Sequence, residues 1–275
     1  MDVTLPRGAE RVEDRRLMAV RRYWDERIHD LEIATCPVGT RGFFEELDEY
    51  RFEKLDYLPR VVDFSAYRGK ELLEVGCGVG TDLVRFARAG AQVTGVDLAP
   101  TAIELARRNF VQQGLEADLR VMNGQALQFP DGCFDVVYIH GVLQYAADDR
   151  AMVAEAHRVL RPDGEAIMMV YNRRSWLPVM SKLTGVGLEH EDAPVLRLYS
   201  VGQFRKLLAL FGDVRIIPER FPVETRLHRG LKATLYNEVF VRAFRVLPKS
   251  LVRPLGWHLM AFGFKPSTRT KRGIR

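Results

Sequence analysis

The chain has 275 residues, 47% hydrophobic and 28% charged, with a formal net charge of +5 at pH 7. That length suits one domain of generous size or one domain with a small appendage, and the mix of apolar and charged residues excludes a largely disordered chain. Three cysteines (Cys36, Cys77, Cys133) without paired spacing and six histidines without a ligand pattern point away from a disulfide framework and from a structural metal.

Met1 runs directly into charged sequence with no signal-peptide core, and no stretch of about 18 apolar residues occurs, so a cytoplasmic location is expected. Val12, Leu17, Val20, Trp24 and Ile28 recur at near-helical spacing and predict an amphipathic helix over residues 9–30. A Pro/Gly-marked loop at 36–42 precedes a second helical stretch over 43–58, and Arg68-Gly69-Lys70 marks the start of the core. Residues 1–68 therefore read as a helical lid segment and 69–271 as the main domain. Within it, 72–75, 92–97, 119–122, 134–139 and 165–170 read as short apolar strands, with helices over 81–89, 100–113 and 148–160 between them. Such alternation predicts parallel βαβ units, an α/β fold with a Rossmann-like, doubly wound sheet. Two insertions interrupt it, 172–199 and 221–254. Between and after them a helix at 201–211, a strand at 213–220 and a last strand at 256–264 complete a mostly parallel sheet of seven strands.

In a doubly wound sheet the ligand sits outside the carboxyl ends of the strands, beside the first one. Glu74-Val75-Gly76-Cys77-Gly78-Val79-Gly80 occupies that place. Glycines let a backbone approach a ligand closely, and the helix that follows presents free N–H groups. A dinucleotide enzyme wants its third glycine at position 81, which is Thr81; here the glycine comes one residue earlier. Asp97 ends the second strand, where a carboxylate can accept both ribose hydroxyls of a nucleoside or else act as a turn residue. Further along stand three more motifs: Asn123-Gly124-Gln125-Ala126-Leu127-Gln128-Phe129-Pro130-Asp131 followed by Cys133-Phe134-Asp135-Val136-Val137, His140-Gly141-Val142-Leu143-Gln144-Tyr145, and Glu155 to Gly164.

These five motifs, in this order, resemble class I S-adenosylmethionine-dependent methyltransferases of the type-11, or ubiquinone/menaquinone-methylase-like, group over about residues 70–171. Asn123 stands where the group often has aspartate, and Gln144-Tyr145 where it often has two histidines. The resemblance implies S-adenosylmethionine as cofactor. It implies that Glu74, Gly76, Cys77, Gly78 and Gly80 form the turn, that Asp97 meets the ribose, that Asn123 and the main chain just after it meet the adenine, and that Leu98, Gly124 and Gln125 also line the cofactor site. His140 would line the pocket. Arg51, from the lid, would pair with the methionine carboxylate or remain a surface arginine.

The implied reaction is in-line methyl displacement, in which the protein chiefly aligns the reacting groups. A base is needed only for an acceptor that is protonated at neutral pH, and His140, Tyr145 and His190 are the candidates. For each a plainer role competes: pocket wall for His140, core packing for Tyr145, and a solvated loop for the run Glu189-His190-Glu191-Asp192. In 221–254, Arg226, Arg229, Lys232, Arg242, Arg245, Lys249 and Arg253 lie beside Leu227, Leu231, Leu235, Val239 and Phe244. Such a basic amphipathic pattern caps its own domain or makes a peripheral membrane or lipid contact. A small-molecule acceptor is expected and no nucleic acid, because the N/D-P-P-Y/F motif of amino-directed nucleic-acid enzymes and the Pro-Cys of cytosine enzymes are absent. A nucleic-acid methyltransferase and a non-catalytic S-adenosylmethionine-binding protein are the alternatives.

Overall fold

Apolar residues on consecutive strand positions bury both faces of a central sheet. In β1 (Glu71–Val75), Leu72 faces one core cluster while Leu73 and Val75 face the other. The same alternation runs through β4 (Phe134–His140), where Val136 and Tyr138 oppose Val137 and Ile139. It continues in β5 (Leu160–Tyr171), where Ile167, Met169 and Tyr171 oppose Ala166, Met168 and Val170. The computed structural model describes residues 7–27, 33–184, 188, 190–222, 238 and 241–267.

The sheet has seven strands in the order β3-β2-β1-β4-β5-β7-β6, with β2 at Gln92–Asp97, β3 at Asp118–Val121, β6 at Gly212–Glu219 and β7 at His258–Phe264. β7 runs antiparallel to both neighbours and the other pairings are parallel. The doubly wound reading of the sequence therefore holds.

Local chemistry sets the helix ends. After α1 (Arg7–Glu26), Thr40 caps α2 (Arg41–Lys54) by accepting from the Phe43 N–H. The expected helix over 43–58 breaks in two, because Pro59 inside the short α3 (Leu58–Val61) has no N–H to continue it. The core helices are α4 (Thr81–Arg88), α5 (Pro100–Gln113, ended by left-handed Gly114) and α6 (Asp149–Val159, capped by Asp148). In β5, Leu160 already pairs with Phe134, and Arg161 to Gly164 bulge out before pairing resumes at Glu165. The strand is thus longer than the expected 165–170. Within 172–199 lies α7 (Trp176–Thr184), and Tyr199 closes the insertion at its base by bridging to Asn172. The helix expected over 201–211 is α8 (Val201–Leu207), opened by a Ser200–Gln203 capping box and ended by three-residue turns. Of 221–254, short helical turns occupy Arg242–Val246 and Lys249–Val252. Arg226, Arg229, Lys232 and the Leu227, Leu231, Leu235 and Val239 stripe lie outside the described residues, as does Glu189.

The N-terminal helices lie over the carboxyl edge of the sheet. Phe43, Phe44 and Leu47 of α2 form a small apolar cluster with Val79 and Leu105, and Asp25 of α1 accepts from the Thr101 N–H at the start of α5.

Leu73 is fully buried at the centre of β1. Leu73→Ala is expected to cost about 2–5 kcal/mol, seen as a lower urea midpoint with an unchanged slope.

Candidate functional site

The ends of β1, β2 and β4 open on a cavity of about 230 Å³, roofed by Leu17, Val20 and Trp24 of α1 and Leu47 and Arg51 of α2. Its nearest wall is the glycine turn. The N–H groups of Gly76 and Cys77 both donate to the Val96 carbonyl, at 2.7 and 3.1 Å, which ties the turn to β2. Gly76 has φ +75°, and a Cβ there would stand 2.3 Å from the Val142 side chain, so the position admits only glycine. Gly80, also left-handed, opens α4.

Asp97 accepts from the Gly78 and Ala99 N–H groups, each at 2.9 Å, so its carboxylate holds the turn and the start of α5 together. Burial raises its pKa, and these N–H bonds oppose the rise. Each oxygen keeps lone-pair capacity for a ligand hydroxyl. Leu98 lines the cavity beside it, and Cys77 is buried in its wall. Across the cavity, Asn123 Oδ1 accepts from both the N–H and the side-chain amide of Gln125, at 3.0 and 3.1 Å. Its carbonyl is therefore engaged within its own loop, and an adenine amine would displace the Gln125 amide. At Gly124 a Cβ would stand 2.5 Å from Val75, so the loop backbone packs directly on β1.

Two carboxylates sit beneath the turn. Asp82, in the first turn of α4, takes both Arg51 Nε and Nη2 at 2.5 Å and the Tyr138 hydroxyl at 2.8 Å. Burial alone would raise the Asp82 pKa, but the guanidinium and that hydroxyl outweigh it and hold Asp82 ionised. Arg51 lines the cavity, and two of its three nitrogens serve Asp82. Its Nη1 makes no hydrogen bond among the described residues and is the nitrogen left for a ligand's carboxylate. Glu74 lines the same cavity, is 4% exposed, and leaves Oε2 without a partner among the described residues. Burial, then Asp82 and Asp97, push its pKa well up, with Arg51 opposing.

The floor is a chain of neutral groups between two cations. Arg51 Nη2 lies 3.2 Å from His140 Nδ1, and Arg220 Nη1 lies 3.0 Å from His258 Nε2. A guanidinium only donates, so both imidazole nitrogens accept and both rings carry their proton on the other side. Those N–H groups meet at Tyr57, whose oxygen lies 3.2 Å from His140 Nε2 and 2.6 Å from His258 Nδ1. Tyr57 therefore accepts twice and turns its own hydrogen toward Met260 Sδ, 3.9 Å away. Burial and the Arg51 charge lower the His140 pKa to about 3. Of the two roles weighed for His140, this geometry favours pocket wall over base, since both nitrogens are engaged.

The remaining side is aromatic. Trp24, Tyr145, Tyr171 and His190 all line the cavity. Trp24 meets Tyr145 edge-on at 5.0 Å and His190 at 4.7 Å between centroids, and the Tyr145 hydroxyl reaches that of Tyr171 at 3.3 Å. The charged run after α7 docks onto α1: Asp192 accepts from Tyr23 at 2.8 Å and from Arg27, and Tyr23 contacts His190 Nδ1 at 3.1 Å. Asp82, Tyr57, His258, Arg220 and Tyr23 escape a reading of the sequence. Asp82 looks there like an ordinary acid in a first helical turn, and Tyr57 finds His258 across 201 positions. Among the described residues no group of three or more His, Cys, Asp or Glu could hold a metal.

Residues 73–168 match a family model described as a methyltransferase domain. A curated relative, a ubiquinone biosynthesis O-methyltransferase from Xanthomonas oryzae pv. oryzae, is 33% identical over 138 residues, half of this chain and 55% of the relative. The chain thus spans about half the length of the curated relatives it matches. Among solved structures, magnesium protoporphyrin IX methyltransferase from Synechocystis PCC 6803, with S-adenosylhomocysteine bound, superposes with a TM-score of 0.59 at 16% identity, covering 90% of this chain and 99% of that one. The [4+2]-cyclase SpnF superposes with a TM-score of 0.52 at 20% identity, covering 76% and 80%. At these identities the superpositions show the fold alone.

Because His140 titrates near 3 when folded and near 6.5 when free, the unfolded chain takes up a proton that the folded one refuses. Its contribution to stability is full above pH 6.5 and is lost as pH falls toward 3. Urea unfolding at stepped pH should show a slope of up to about 1.4 kcal/mol per unit from this group in that window, and His140→Gln should remove it.

Proposed function

We propose, from the match of residues 73–168 to a methyltransferase-domain family model, that the chain transfers a methyl group from S-adenosylmethionine to a small-molecule acceptor. One observation carries the reading: a buried Glu74 carboxyl with an unpartnered oxygen lines the same cavity as the glycine turn, Asp97 and Arg51 Nη1. An amino-acid ligand joined to a nucleoside fits that donor and acceptor set. S-Adenosylmethionine supplies a methyl already activated by its positive sulfur.

The chain's own residues do the rest. Glu74 takes an ammonium and Arg51 Nη1 a carboxylate. Asp97 takes the ribose hydroxyls, with Leu98 packing beside them, while Asn123, Gly124 and Gln125 border the base. The backbone of Gly76, Cys77, Gly78 and Gly80 gives close approach. His140 and Tyr57, held neutral, form a floor that keeps water away from the reacting centre. Residues 1–68 act as a lid, since α1 and α2 roof the cavity. Tyr145 and His190 face the acceptor side. The relatives' description as O-methyltransferases supports a hydroxyl acceptor over a nucleic acid.

A fold shared with a cyclase does not by itself fix the reaction, so binding decides first. Calorimetry should show that both S-adenosylmethionine and S-adenosylhomocysteine bind. Asp97→Ala should weaken both by roughly 10- to 100-fold, the loss of hydrogen bonds to a charged group. No binding to the wild type, or an Asp97→Ala protein that binds equally well, overturns the reading.

For 221–254 we propose peripheral contact with an anionic lipid surface, as part of a cytoplasmic protein. Val246, Leu251, Leu247 and Leu255 are 84%, 67%, 46% and 39% exposed, close to Arg242 and Arg253. No helix among the described residues is long and apolar enough to cross a membrane. The protein should pellet with phosphatidylglycerol-containing vesicles at low salt, and Leu251→Asp should weaken this. Equal behaviour with pure phosphatidylcholine vesicles would refute the contact.

A further inference from the structure

We propose that His190 is the general base for a hydroxyl acceptor, with Tyr23 and Asp192 as residues that position its lone pair. The inference rests on the methyl-transfer reading above and deepens it.

The protons around Tyr23 leave one arrangement. Its hydroxyl donates to Asp192 Oδ1 at 2.8 Å, and Arg27 also bonds that carboxylate. A phenol has a single hydrogen. Tyr23's oxygen can therefore only accept from His190 Nδ1, 3.1 Å away. Carboxylate, phenol and imidazole thus form a directed chain that protonates Nδ1 and puts the basic lone pair on Nε2. The hydrogen bonds from Tyr23 and Arg27 keep Asp192 ionised, and burial with Asp192 beside it keeps Tyr23 protonated.

Placement agrees with that chemistry. His190 lines the cavity with Trp24, Tyr145 and Tyr171, edge-on to Tyr145 at 6.1 Å and tilted on Trp24 at 4.7 Å. Its backbone has φ +52°, a left-handed conformation that a non-glycine residue adopts at a cost and that clusters at functional sites. His140 makes the contrast. Its Nδ1 lone pair is taken by a guanidinium, whereas His190 Nδ1 is linked through Tyr23 to a carboxylate. The aromatic walls suit a planar ring, and a ring hydroxyl is acidic enough for an imidazole to deprotonate. In the step, the acceptor O–H bond breaks and its proton passes to His190 Nε2. The oxygen's electron pair forms the bond to the methyl carbon as the methyl–sulfur bond breaks and leaves its pair on sulfur. His190 then releases the proton to solvent at the rim, where Asp192 and Arg27 are exposed.

Two measurements on the full chain decide. In ¹⁵N-labelled protein saturated with S-adenosylhomocysteine, long-range ¹H–¹⁵N correlation should show His190, assigned with His190→Gln, protonated on Nδ1. Tyr23→Phe should move the proton to Nε2; a wild-type proton on Nε2 overturns the chain. With 4-nitrocatechol as probe acceptor, His190→Gln should lose at least about 100-fold in kcat while calorimetric affinity for S-adenosylmethionine stays unchanged. Asp192→Asn and Tyr23→Phe should lose about 10-fold in kcat with KM for the probe within about 2-fold, the mark of misoriented base rather than lost binding. Full activity in His190→Gln, or no methylation of the probe by wild type that binds S-adenosylmethionine, overturns this proposal alone. Failure to bind S-adenosylmethionine at all overturns the reading beneath it.

Discussion

A guanidinium from α2 and a carboxylate from α4 meet in a nearly dry fork at 2.5 Å, and both line the cavity. Arg51 and Asp82 are costly to bury apart, since each charge would lose its water, so the pair locks the N-terminal helices to the carboxyl edge of the sheet. A second fork, Arg85 to Asp48, repeats the contact nearer the surface, and the Phe43–Phe44–Leu47 cluster fills the space between. Charge sets where α2 stands; apolar packing keeps it there. The part of the roof that α2 supplies takes its position from this joint.

The same two cations also order the protons of the floor. Because Arg51 and Arg220 can only donate, His140 and His258 are left with one tautomer each, and Tyr57 with one direction for its hydrogen. Two imidazoles sit in the cavity wall without adding charge beside the Arg51–Asp82 pair. On the opposite rim an anion does the ordering: Asp192 fixes Tyr23, and Tyr23 fixes His190. One histidine chain is terminated by donors and the other by an acceptor, so the two rings face the cavity with opposite chemistry. A reading that treats histidines in a pocket as interchangeable bases would miss this difference.

Legibility in the sequence followed the range of the interaction. The glycine turn and Asp97 could be placed because strand, turn and helix are contiguous and the second strand neighbours the first. The sheet came through as well, since burial on both faces writes uninterrupted apolar runs. Pro59 was visible and should have split the second helix. Arg51 was legible as a cavity residue but not as Asp82's partner. Tyr57 and Tyr23 carried no local signal, because their partners lie 83 to 201 and 167 to 169 positions away. Asn123 lines the cavity, while the engagement of its carbonyl by Gln125 depends on a loop turn that composition does not announce.

The clasp between α1 and Asp192 also orders events in time. The roof is synthesised before any wall it rests on, and Tyr23 and Arg27 meet Asp192 only after residues some 165 positions later have emerged. Closing so long a loop costs entropy that local contacts cannot return early, which makes such contacts late ones in folding. A nascent chain therefore carries Trp24 and its apolar neighbours uncovered while the sheet assembles. Five of the seven strands precede Asp192, and the lining of the cavity is complete only once Arg220 and His258 have followed it.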